Sequence, residues 1–173
     1  ALNLGIYSTN LSYASLFDQT QASIRYMTVS RRMAEGLGIL NAIDNEVIQR
    51  LEENINNREV IMDIISETFL NTSSILEEND RVAIGAIILV GGWIEGLYLA
   101  TSLVEDVHKT DSELVERIID QKLSLSTIIS LLHQHKDHPD VQEVLEDVLR
   151  IKRVYDDIHI SVSRIETHTD DTG

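Results

Sequence analysis

The stretch VAIGAIILVGGWIEGLYLATSLV, Val82 to Val104, decides how the rest of this chain is read. It carries one charged side chain, Glu95, and the only tryptophan, Trp93. Nothing else in the sequence stays this apolar for this long. A transmembrane helix needs about 20 apolar residues, so the stretch is long enough to span a bilayer. Gly92, Gly96 and Ala100 even form the small-residue ladder that lets helix backbones approach closely. Three features oppose a span. Glu95 would sit near the bilayer midplane at a cost of a few kcal/mol. The flanks hold Arg81 on one side and Glu105, Asp106 and Lys109 on the other, so no positive cluster anchors either end. The aromatic residues lie in the middle instead of at the interfaces. The stretch therefore reads as a buried central helix over about residues 80–108, with the glycine ladder serving close packing inside a bundle.

Amphipathic segments on both sides supply partners for that helix. Leu4, Tyr7, Leu11, Ala14 and Phe17 recur at helical spacing and predict a first helix. Asp18 and Gln21 read as a capping box opening a second, with Ala22, Ile24, Met27, Met33 and Ala34 inward and a glycine stop at Gly36-Leu37-Gly38. Asp44 is the next N-cap, followed by Val47, Ile48, Leu51 and Ile55 on one face. Asn54, Asn56 and Asn57 are poor helix formers and mark a break. Val60 to Leu76 predicts another helix with Ile61, Ile64, Ile65 and Phe69 inward, and Asn79-Asp80 caps the central one. Thr110 with Glu113 opens a helix that lasts to about His135. Pro139 opens the last, whose apolar positions run from Val141 through Val144, Val148, Ile151 and Tyr155 to Ile165 at alternating gaps of three and four. That is a seam for shallow packing along another helix.

The prediction is an all-α, single-domain bundle of six to seven helices over residues 1–168, with 169–173 a frayed acidic tail. Composition agrees. One proline and eight glycines in 173 residues leave too little turn chemistry for a many-stranded fold. A hydrophobic share of 43% suits a folded chain. The formal charge of −15 argues against nucleic acid and anionic membrane surfaces as partners. The absence of cysteine excludes disulfides, thiolate catalysis and cysteine-ligated metals.

Two internal likenesses are present. Gly5, Leu11 and Ala14 recur as Gly91, Leu97 and Ala100, which hints at related halves. Gly5 to Ile39 resembles one tetratricopeptide unit, but its period does not continue.

Glu95 is the sharpest candidate site residue. A carboxylate in so apolar a setting is paired with a base, hydrogen-bonded, protonated or facing a cavity. Its functional reading is a polar anchor for a small ligand, in a pocket lined by Trp93, Tyr98, Tyr7 and Tyr13. Its structural reading, the one favoured, is an ion pair with an arginine such as Arg25, or a carboxylate reaching the bundle edge. Glu105-x-x-His108 and Asp156-x-x-His159 invite comparison with carboxylate-bridged di-iron bundles. One pair uses Asp, the other falls at a helix end, and neither sits on an inward seam. His133, His135 and His138 with Asp137 and Asp140 surround the last loop and read as solvated. No metal, cofactor or catalytic residue is assigned, and Gly91-Gly92 lies inside a helix, so it is no phosphate loop.

The runs LGIYSTNLSYASLFDQTQ, AEGLGI and GGWIEGLYLA resemble a group of helical, lipoprotein-like proteins of Bacteroidota. The resemblance implies an all-α fold and export to the cell envelope or periplasm, with a lipoprotein leader ahead of the residues given. It implies no activity. The expected function is a non-enzymatic structural, interaction or ligand-binding module with a protein or small-molecule partner. The alternative is a small-molecule binder or enzyme built on Glu95 and its neighbouring tyrosines.

Overall fold

The periodic segments fold as helices in the computed structural model, which describes residues 1–39, 45–54, 57–78, 81–104 and 113–159. Seven helices follow one another among these residues: α1 (Leu2–Leu16), α2 (Thr20–Gly36), α3 (Asn45–Glu53), α4 (Arg58–Glu78), α5 (Val82–Ser102), α6 (Glu113–Gln134) and α7 (Pro139–Asp156). No strand occurs among them. The all-α expectation holds.

Helix ends show where local chemistry was read well and where it was not. At the end of α2, Gly38 takes φ +66. Its N–H donates to Glu35 O at 2.9 Å, and Ile39 N–H reaches back to Ala34 O at 3.0 Å. This is a Schellman stop, completed by the apolar contact of Ile39 with Ala34 in one core cluster. The end of α1 repeats it with a residue less suited to the task. Asp18 takes φ 54, Gln19 N–H donates to Ala14 O at 2.8 Å, and Asp18 N–H to Ser15 O at 3.3 Å. Asp18 thus closes α1 and does not cap α2, whose N-cap is Gln19 without a side-chain hydrogen bond. The expected capping box fails because one residue cannot hold a left-handed stop and an extended N-cap together.

The asparagine-rich break is present. Asn54 Nδ2 donates to Arg50 O at 2.8 Å at the end of α3, and Asn57 Oδ1 accepts from Val60 N–H at 3.3 Å at the start of α4. The helix α5 stops at Ser102, short of the expected His108. The helix α7 ends at Asp156 rather than near Ile165. Asp44, Asn79-Asp80, Thr110, the Glu105–His108 pair and the acidic tail lie outside the described residues.

The closest packing joins α1 to α5 through two glycines. A Cβ on Gly5 would lie 2.0 Å from Ile88 O and 2.6 Å from Gly92 N, and one on Gly91 would lie 2.1 Å from Leu2 O. Backbone meets backbone here, which a side chain at either position would prevent. The contacts advance together, Leu2 at Gly91 and Asn10 at Glu95, so the two helices run in the same sense. The recurrence of Gly5 as Gly91 therefore has a direct physical use: each is the small residue that admits the other helix.

Around this pair the core divides in two. On one side α5 packs against the α6–α7 hairpin, through Ala86, Ile87 and Val90 against Leu125, Ile128, Leu132, Val141 and Val148. On the other, α1 to α4 enclose Leu11, Met27, Val47, Leu51, Ile61 and Ile64, with Leu4, Ala34, Ile39 and Leu76 between. The α7 seam falls where its spacing placed it: Val141, Val148 and Tyr155 are buried, and Tyr155 Oη donates to Ile118 O on α6 at 2.8 Å.

The helix α5 contacts α1, α4, α6 and α7, but only Ala86, Ile87, Val90 and Gly91 are buried along it. Tyr98 is 63% exposed. Among the described residues α5 is the one helix long and apolar enough to cross a membrane. A core helix passes the same length test, but with only four residues buried the expectation of a buried central helix is not met along the length of α5.

Candidate functional site

A groove of about 700 Å³ opens between the first five helices. Leu4 and Leu11 of α1, Met27 of α2, Val47 and Leu51 of α3, Ile65 of α4 and Ile88 of α5 give it apolar walls. Ile39, placed by the Schellman stop, closes one side. Such a volume with mostly apolar walls and a few polar groups is the usual form of a small-molecule site. A second, more open hollow at the α1–α2 corner is lined by Asp18, Gln19, Thr20, Gln21, Ala22, Arg25 and Tyr26, with polar and apolar surface in similar shares.

The polar groups of the groove come mainly from hydroxyls, and most are already engaged. Thr9 Oγ1 donates to Gly92 O at 3.1 Å, joining α1 to α5. Ser12 donates to Ser8 O at 3.1 Å, Ser66 to Met62 O at 2.9 Å and Thr68 to Ile64 O at 2.7 Å, each within its own helix. Ser30 differs. It is 8% exposed, and its Oγ is buried without a hydrogen-bond partner. Arg31 beside it is the only charged residue on the wall among those described.

Of the five residues singled out from sequence, the groove receives one. Trp93 lines it, with its indole N–H donating to Gln121 Oε1 on α6 at 3.1 Å. Glu95 is half-buried and accepts a hydrogen bond from Asn10 Nδ2 at 2.8 Å. The expected arginine pair is absent: no ion pair of Glu95 occurs among the described residues, and Arg25 lies exposed on the α1–α2 corner. Tyr7 meets Tyr26 edge-on at 5.9 Å between ring centres, and Tyr13 packs on Phe17 at 4.6 Å. Tyr98 faces solvent. These tyrosines and Glu95 are not brought onto the groove wall.

The metal comparisons resolve differently. Asp156 is held by Lys152 and by Lys122 at 3.6 Å, and the Lys152 hydrogen bond keeps its carboxyl below the usual range. His133 is exposed on α6 and His135 half-buried beyond it, while the buried Nδ1 of His138 has no partner. Among the described residues no three His, Asp or Glu side chains gather as a metal set.

Sequence reading missed Ser30, Arg31 and Ile39. The inward stripe of α2 is Ser23, Met27, Ser30 and Ala34, not the Ala22, Ile24, Met27, Met33 and Ala34 chosen for apolarity. Ile24 is 40% exposed. The spacing of four, three and four was a usable signal once serine was admitted to a core stripe. Ser23 shows why it can be: its Oγ donates to Gln19 O at 3.1 Å and meets Ser15 Oγ of α1 at 3.3 Å.

Comparison of the chain with protein-family models, curated proteins and solved structures finds no match.

Proposed function

We propose that this chain is a non-enzymatic ligand-binding module that takes an apolar small molecule into the groove between α1 and α5. The groove itself supports the reading. Water in it meets a wall whose exposed surface is mostly apolar, and each Å² of that wall covered by an apolar solute returns about 25 cal/mol. The lining favours a binder over a catalyst. Its hydroxyls have no base beside them: among the described residues the lining offers no histidine, carboxylate, lysine or tyrosine to activate a serine or threonine.

Calorimetric titration with the neutral dye N-phenylnaphthylamine tests this. One dye per chain is expected, and Ser12→Phe, which adds a ring at the wall, is expected to weaken it at least tenfold with the fold intact by circular dichroism. No binding, or equal binding by the folded variant, contradicts the reading. The resemblance to envelope proteins supports placing the chain at the cell envelope. Fractionation of the source cells, with the protein in the envelope fraction expected and a cytosolic location opposed, checks that part.

A further inference from the structure

We infer that the ligand is an amphiphile with a carboxylate head, bound head-first at Ser30 and Arg31 with its hydrocarbon along Leu4, Ile65 and Ile88. This rests on the binding reading above and adds the chemistry and direction of the ligand. Three observations converge. The first is Ser30, whose buried hydroxyl lacks a partner although it belongs to the groove wall. A buried hydroxyl left unpaired is costly, and an oxygen acceptor on a ligand removes that cost. The second is Arg31, the next residue on α2, which supplies the wall's one charge among the described residues. Arg31 already has an interaction within the chain, but a guanidinium carries five N–H donors.

The third is the distribution of charge. The chain is net −15, a field that repels anions from most of its surface. Within α2, however, Arg25, Arg31 and Arg32 outnumber the single acid, Glu35, and no other described helix has an excess of bases. Of these arginines, Arg31 is the one that lines the groove. In the bound state the Ser30 O–H donates to one carboxylate oxygen and Arg31 N–H groups donate to the carboxylate at the mouth, a charge-assisted arrangement. The rest of the wall supplies no second charge, so the tail is uncharged.

Displacement of bound N-phenylnaphthylamine from the defatted full chain separates head from tail. Palmitate is expected to bind about tenfold more tightly than hexadecanol, which shares its chain but lacks the charge. Arg31→Gln is expected to bring palmitate down to the level of hexadecanol while leaving hexadecanol unchanged. Arg31→Lys restores part of the difference, and Ser30→Ala weakens both ligands by a smaller factor. Arg31 is exposed, so its variants keep the fold. Equal affinity for palmitate and hexadecanol, or an Arg31→Gln variant that still prefers palmitate, overturns the inference and leaves the apolar groove standing. If neither ligand nor the dye binds, the underlying binding reading fails instead.

Discussion

Replacing Gly5 with alanine tests the contact on which the helical arrangement turns. The added methyl would lie 2.0 Å from Ile88 O, against 3.4–4 Å for ordinary contact. Ile88 O and Gly92 N are backbone atoms, so neither can swing aside; α1 must retreat by about 1.4 Å or the helices must slide. Overpacking of this kind costs about 1–3 kcal/mol. Retreat also stretches the Thr9–Gly92 and Asn10–Glu95 hydrogen bonds, now 3.1 and 2.8 Å, at about 1 kcal/mol each. Alanine returns about 1 kcal/mol through its better helix propensity. The net expectation is a loss of about 3 kcal/mol, a fall in Tm of roughly 6–12 °C for a chain of this size. Gly96→Ala is the internal control. A Cβ there meets nothing within 4 Å, so only the propensity gain of about 1 kcal/mol remains. Thermal melts followed by circular dichroism read both. A Gly5→Ala protein as stable as Gly96→Ala would refute the close α1–α5 approach.

Two further expectations follow from named contacts. Glu95→Gln keeps an oxygen that accepts from Asn10 Nδ2, so its unfolding free energy is expected to change by less than about 1 kcal/mol; a loss of 3–5 kcal/mol in a urea titration would mean that a buried base had lost its partner. Tyr155→Phe removes the hydrogen bond to Ile118 O and is expected to cost about 1 kcal/mol at neutral pH. Burial holds the Tyr155 phenol above its ordinary 10.0. The folded chain therefore binds that proton more tightly than the unfolded one, and the stability involved is complete below pH 10 and lost as pH rises beyond it. Alkaline melts should show a steeper decline for the native chain than for Tyr155→Phe, and parallel curves would contradict the assignment.

The helices were legible because their signals are local. Apolar spacing, capping residues and one long apolar run located the seven described helices, the Gly38 stop named its own φ, and the Val141–Val148–Tyr155 seam could face only a neighbouring helix. Asp18 was misread because the same Asp suits an N-cap and a left-handed stop, and only the chain path shows which helix uses it. The reach of α5 was overestimated for a related reason. Apolarity continues to Val104, but Ser102 ends the helix and its last turns are only partly covered. Trp93 was singled out through its rarity, and it lines the groove. Glu95 drew attention through its apolar sequence neighbours, although across the helix pair it meets an amide, Asn10, far away in sequence. The groove had no linear signature at all. It is assembled from single residues of separate helices, and its distinctive members, Ser30 and Arg31, look like ordinary surface residues until α2 is oriented.

Trp93 makes the central claim directly measurable, because the chain has no other tryptophan and this one lines the groove. Its emission can be followed while the folded chain is titrated with a palmitate analogue brominated along its tail, bromine being a contact quencher. The groove reading requires saturable quenching at one analogue per chain, abolished by Ser12→Phe and not reproduced by free bromide. Saturable binding that leaves Trp93 unquenched would place the ligand elsewhere and contradict the account.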